Sequence, residues 1–169
     1  MQNQMITTTR TKQAVKVISD HQFAKVILNK STGQKSLLAT THIHPGDVIS
    51  PFSAGMTTPF ATYLTVQIAD DKHITLVPEF LQYINHSCAP TVFFDTTKME
   101  LVCLKALAPG DELTFFYPST EWEMAQPFVC NCGTPECLQF INGASHISKS
   151  ILKKYKLTDF IQQKISRRH

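Results

Sequence analysis

The sequence predicts a mainly β chain that ends in a short helical tail. Three observations predict it. From residue 14 to 117, short runs rich in Val, Ile, Thr and Phe alternate apolar with polar residues. Two turns of the same composition, "HPGD" at 44–47 and "APGD" at 108–111, each precede an apolar run. After Tyr117 the apolar spacing changes to that of a helix.

Each element follows from its residues. "AVKVIS" and "FAKVIL" are the first strands, on their β-branched content. "TYLTVQI" sets Leu64, Val66 and Ile68 on one face, and "MELVCLKAL" does the same with Met99, Leu101 and Cys103. "ELTFFY" puts Leu113, Phe115 and Tyr117 on one side and Thr114 and Phe116 on the other. The Pro-Gly pairs fit type II turns, whose third position needs positive φ. "PSTEWEM" offers Thr120 with Glu123 three residues on, a capping box for a short helix that Pro127 ends. On that helix Glu121 and Glu123 are surface charges, with a possible part in attracting a basic substrate, while Trp122 and Phe128 cover the cysteine-rich loop. Ile147, Ile151, Leu152 and Tyr155 keep helical spacing. Thr158 caps a last helix whose Phe160, Ile161 and Ile165 share a face.

Composition narrows the function. Of the 169 residues 43% are hydrophobic, enough for a core, and the net charge is only +3. The basic clusters "KSILKKYK" and "SRRH" read as solvated surface, so no direct nucleic-acid binding is expected. No signal peptide is expected in the polar "MQNQMITTTRTKQ", and no apolar run approaches the ~18 residues of a membrane span. A soluble, intracellular protein is expected, in nucleus or cytoplasm.

Chemistry concentrates in two places. "YINHSCAP" packs an amide, an imidazole, a hydroxyl and a thiol into Asn85 to Cys88. "CNCGTPEC" holds Cys130, Cys132 and Cys137 in a C-x-C-x4-C pattern. Three thiols so close, in a reducing compartment, point to one structural zinc ion rather than disulfides. The fourth ligand comes from Cys88, Cys103 or a histidine. Cys103 falls on the apolar side of a strand and reads as a small hydrophobe, whereas Cys88 lies in a loop free to reach. His21, His42, His44, His73, His146 and His169 show no ligand spacing.

Taken in order, "YINHSCAP", "APGDELTFFY" and "CNCGTPEC" resemble the SET-domain lysine methyltransferases with a post-SET zinc loop, over about residues 15 to 143. The resemblance implies small curved sheets around a pseudoknot, with short helices. It implies a SET domain over 14–128, a post-SET zinc loop over 129–143 and a helical tail over 144–169, after a flexible 1–13. It implies S-adenosylmethionine as cofactor, held by Asn85, His86, Tyr63 and Leu138. The family's "G-x-G-L-F-A" segment matches "QKSLLA" here, so the backbone of Lys35, Ser36 and Leu37 would face the cofactor, with Ser36 at the second glycine. Gln82 stands where the family commonly has an arginine, and Phe52 where it often has a tyrosine. Tyr117 is the implied catalytic residue, Phe52, Phe94 and Phe115 the substrate channel, and Cys88, Cys130, Cys132 and Cys137 the zinc ligands. The implied substrate is the lysine of a protein, histone or not, taken to a di- or trimethyl product by a monomer or homodimer. Methylation of a small amine, and a SET-fold interaction module without turnover, are the rival readings.

Overall fold

The computed structural model of the protein describes residues 15–168. The expected flexible segment 1–13, the first residue of "AVKVIS" and His169 lie outside the described residues. Strands β1 (Val15–Asp20), β2 (Ala24–Asn29) and β3 (Lys35–Ala39) form an antiparallel sheet in that order. β4 (Val48–Pro51) and β9 (Val92–Asp95) flank β10 (Glu100–Cys103) in a second. β5 (Ser53–Thr58) and β6 (Thr65–Ala69) flank β7 (Lys72–Val77) in a third. Two short pairs complete the sheets. β8 (Asn85–His86) runs parallel to β11 (Thr114–Phe115), and β12 (Phe128–Val129) runs antiparallel to β13 (Phe140–Ile141).

The two Pro-Gly-Asp turns close alike. The Asp47 N–H donates to the His44 carbonyl at 3.0 Å, and the Asp111 N–H to Ala108 at 3.0 Å. Gly46 and Gly110 sit at φ of 93° and 98°, the left-handed region a type II turn demands. In each turn the aspartate carboxylate also accepts the N–H of the first residue, at 2.8 Å.

Alternation explains the core. On β3, Leu37 and Ala39 are buried while Ser36 and Leu38 are partly exposed on the other face. Leu101 and Cys103 of β10 are buried too, Cys103 as the small hydrophobe its position predicted. Phe115 and Phe116 are consecutive and enter different clusters. Phe115 packs with Leu37, Phe94 and Leu113, whereas Phe116 packs with Ala144, Leu152 and Ile161 of the tail. Each buried aromatic ring contributes roughly 2–3 kcal/mol, so this dipeptide joins body and tail.

Three local readings are corrected. No helix follows Thr120. A 3-10 turn over Tyr117–Ser119 stands there instead, and Glu121 is buried rather than a surface charge. Gln67 accounts for this: its N–H donates to Glu121 Oε1 at 2.8 Å and its side-chain oxygen accepts the Trp122 N–H at 2.9 Å. Those tertiary bonds outcompete a local helix. Trp122 packs with the tail cluster rather than over the cysteine loop, under Lys164 and Arg168. Finally, the first turn of the "TYLTVQI" run is no strand, because Thr62 side-chain and backbone bonds to Thr65 hold it as a turn.

The tail forms two helices, α1 (Lys149–Leu152) and α2 (Asp159–Ser166), shorter than the apolar spacing suggested. Thr158 caps α2, accepting the Ile161 N–H. Thr158 also reaches back, its N–H and hydroxyl both donating to the Ser119 carbonyl at 3.0 Å. The tail thus grips the segment just after Tyr117.

Candidate active site

Parallel pairing of β8 with β11 builds the centre. It sets Asn85 beside Thr114 and His86 beside Phe115, so two segments about thirty residues apart present their side chains together. Asn85 is pinned: its amide donates to the Lys35 carbonyl at 2.9 Å and to Glu112 Oε1 at 3.0 Å. His86 Nδ1 accepts the Tyr117 N–H at 3.2 Å. Burial holds the imidazole down at about 4, so it is neutral and Nε2 carries the proton. That Nε2 lies 3.4 Å from Cys88 Sγ. One ring therefore ties the Tyr117 backbone to the cysteine cluster.

Cys88, Cys130, Cys132 and Cys137 bring their sulfurs within 4.8 Å of one another. Four thiolates at ~2.3 Å from a tetrahedral zinc stand about 3.8 Å apart, so a small contraction closes the site. The surroundings suit thiolates: the Leu138 N–H donates to Cys88 Sγ at 3.3 Å and the Gln139 N–H to Cys137 Sγ at 3.4 Å. Burial, with the neighbouring thiols, pushes Cys130 up to about 11 and Cys88 higher still, an expense that a dication removes. The donor set fits zinc. With four sulfurs it leaves no open position, which makes such a site structural.

Two clefts meet at Tyr117. The first, of about 710 Å³, is polar, and Ser36, Leu38, Asn85, His86, Glu112 and Asn131 contribute to its walls. The second, of about 380 Å³, is aromatic, walled by Tyr63, Phe94, Phe115, Tyr117, Phe128 and the buried Glu121 among others. Asn85, Tyr117 and Phe128 border both. Tyr117 packs on Phe115 at 4.6 Å and edge-on to His86 at 5.2 Å. Burial, with Glu112 nearby, raises its phenol to about 12. It is thus a neutral donor at any ordinary pH, and among the described residues its hydroxyl makes only a long 3.5 Å bond to the Ile84 carbonyl.

Not every sequence candidate reaches these clefts. Ser36 lines the polar one. Leu37 faces the core, and Leu38 takes the place expected of it, as strand alternation requires. The Lys35 carbonyl holds Asn85 while its ammonium reaches Tyr83. Tyr63 is 81% exposed and borders the aromatic cleft rather than the polar one. Phe52 is buried behind Phe94, edge-on at 5.4 Å, outside both clefts. Leu138 is half-buried against the cysteine cluster, also outside. Glu112 and Phe128, given no chemistry in the sequence reading, belong here, Glu112 inside the quoted "GDELTF" run and Phe128 just before the cysteines; so does Glu121, read from the sequence as a surface charge with a part in attracting a basic substrate.

A family model described as SET domain matches residues 34–118, half of the chain. The chain belongs to the SET-domain family. Its small antiparallel sheets and short helices are those of the SET-domain fold. It is 40% identical over 119 residues to the methyltransferase flvH of Aspergillus flavus, across 69% of this chain and 66% of that protein. It is 31% identical over 77 residues to an H3 lysine-36-specific histone-lysine N-methyltransferase of Candida albicans, covering 42% of this chain and 9% of that protein. It is also 31% identical over 67 residues to histone-lysine N-methyltransferase 2B of Homo sapiens, covering 36% and 2%. The SET-domain chain therefore spans just under two thirds of the first of these and a small part of the others. No helix among its described residues is long and apolar enough to cross a membrane.

Proposed function

We propose that this SET domain transfers methyl groups from S-adenosylmethionine to the side-chain amine of a lysine in a protein. The observation that carries the reading is Tyr117, standing where a polar cleft and an aromatic cleft share a wall. A volume of about 710 Å³ suits a cofactor of that size. Asn85, His86, Ser36, Glu112 and the backbone of β3 would hold it, and Glu112 offers a carboxylate to a cationic ligand. When bound, S-adenosylmethionine supplies an electrophilic methyl group on a sulfonium.

The chain's own part is alignment and desolvation. A free lysine amine has a pKa near ~10.4 and is a poor nucleophile while protonated. Phe94, Phe115 and Phe128 exclude water from the acceptor cleft, which favours the neutral amine. The Tyr117 hydroxyl, neutral at working pH, orients the nitrogen by hydrogen bonding and takes no proton from it. Phe115 leaves more space beside Tyr117 than a tyrosine would, which supports di- or trimethyl products. Four thiols in zinc-binding geometry brace the wall carrying Phe128, Asn131 and Cys132.

Incubation with radiolabelled S-adenosylmethionine and histone or cell-lysate proteins tests the reading. Label on lysine, with di- or trimethyl product by mass spectrometry, is expected. Cofactor binding without transfer to any acceptor would instead favour an interaction module. A second reading, methylation of a small amine, is favoured by one observation. The relative that is 40% identical over 69% of this chain is described as a methyltransferase without a histone substrate, whereas a histone enzyme that covers 62% of the chain is 23% identical. Transfer to amines below peptide size in the same lysate would support it.

A further inference from the structure

Glu121 is a buried carboxylate that alignment by Tyr117 does not use. It is 7% exposed and forms part of the wall of the aromatic cleft. Its two oxygens differ. Oε1 accepts from the Gln67 N–H at 2.8 Å and from the Thr120 hydroxyl at 3.1 Å. Oε2 has no hydrogen bond among the described residues, and faces His73 Nδ1 at 3.8 Å. His73 is itself 5% exposed, and its Nδ1 also lacks a hydrogen bond. A fully buried, unsatisfied imidazole nitrogen thus stands behind a carboxylate that lines the cavity and keeps one oxygen without a hydrogen-bond donor, which a donor entering the cavity would supply.

We propose that the Glu121 carboxylate is the cation-recognising group of the acceptor cleft, pairing with the ammonium of an incoming aliphatic amine. The inference rests on reading this cleft as the acceptor site. It assigns the cleft a preference for amines that arrive protonated, as a lysine side chain does at neutral pH. Around the carboxylate the cleft is largely apolar, so the pair is screened less than on a surface. Aromatic faces at Phe94, Phe115 and Tyr117 receive the aliphatic stem. Other groups facing Glu121 carry little charge: Gln67 and Thr120 are neutral, the Tyr117 phenol stays protonated, and burial lowers His73 against a weaker opposing effect of Asp71. Burial raises Glu121 to about 7, so recognition strengthens as pH rises through that value.

Binding of two probes with the same carbon chain tests this without any turnover: Nα-acetyl-lysine methylamide, and Nα-acetyl-norleucine methylamide, which lacks the amine. Titrations followed by NMR at pH 8 should show the wild type preferring the lysine probe by about tenfold or more. Glu121→Gln keeps an acceptor for Gln67 and Thr120, and should reduce the preference to under about threefold. Glu121→Asp should restore part of it. At pH 5.5 the wild-type preference should shrink toward that of Glu121→Gln. An undiminished preference in Glu121→Gln, or no lysine preference in the wild type, overturns the proposal. If no methyl transfer is found yet the preference depends on Glu121, the methyltransferase reading fails and this one stands.

Discussion

The polar cleft and the aromatic cleft share Asn85, Tyr117 and Phe128 but are built by different physics. The polar one is made where backbone and short polar side chains come together: the free face of β3, the parallel β8–β11 pair, and a loop gathered by four cysteines. The aromatic one is an opening in the main core, whose packing continues into Phe52, Leu101 and Leu113. A ligand in the first meets donors and carboxylate; a group in the second meets rings and one buried acid. The difference teaches that a single residue on the shared wall can address two chemically unlike groups. On the proposed function, the covalent step would need little from the protein beyond bringing them together.

Changes confined to one side test this division. The largest effect is expected from the shared wall. Tyr117→Phe should lower turnover by about 100-fold or more, in the range of losing one preorganised donor. S-adenosylhomocysteine should still bind, by calorimetry, within about twofold, because the polar cleft keeps its other groups. Weak loss of turnover would show that Tyr117 is packing alone.

Next comes the cysteine cluster. Cys132→Ser should release one equivalent of zinc per chain and abolish cofactor binding in the polar cleft, with a stability loss of several kcal/mol. Metal analysis and thermal unfolding read both. The aromatic cleft should keep its ligand preference, so loss on both sides would break the comparison.

The acid behind the aromatic cleft gives a smaller effect with a distinctive sign. Glu121 titrates at about 7 against an ordinary 4.5, so the folded state holds a proton the unfolded state has lost, and its contribution falls as pH rises from 4.5 to 7. His73 is shifted below 6.5, so the unfolded state takes a proton first, and its contribution rises with pH up to 6.5. In the wild type the two slopes oppose each other. His73→Gln should expose a fall of about 3 kcal/mol between pH 4.5 and 7. Glu121→Gln should expose the opposite slope. Urea melts across that range check both, and parallel profiles would show that the two groups are not shifted in opposite directions.

Gly143 offers the smallest change. It sits at φ of 94°, and a Cβ there would meet the Trp122 carbonyl oxygen at 2.5 Å. Gly143→Ala should cost about 2–3 kcal/mol and disturb the Trp122–Glu123 backbone behind the aromatic cleft. S-adenosylhomocysteine affinity should change little. A neutral result in thermal unfolding would show that the backbone gives way.

Much of this was legible in the residues because it depends on local rules. Type II turns follow from Pro-Gly, the burial of Leu101 and Cys103 from alternation, the cap of α2 from Thr158, and the grouping of three cysteines from their spacing. Alternation also holds the reason that Leu38 rather than Leu37 reaches the polar cleft. What the residues could not reveal depends on partners distant in sequence. Glu121 reads as a helix-surface charge until Gln67, 54 residues earlier, supplies the N–H that buries it. Phe128 reads as a cover for cysteines until His86 and Tyr117 stand edge-on to its ring. The tail reads as generic amphipathic helix until Tyr155 stacks on Phe116 at 3.7 Å and donates to the Cys88 carbonyl at 2.9 Å. Periodicity and turn chemistry act within a few residues and are written in the chain. Desolvation and hydrogen-bond completion are settled only when the chain has closed on itself, and here they decide which carboxylate, ring and hydroxyl share a wall.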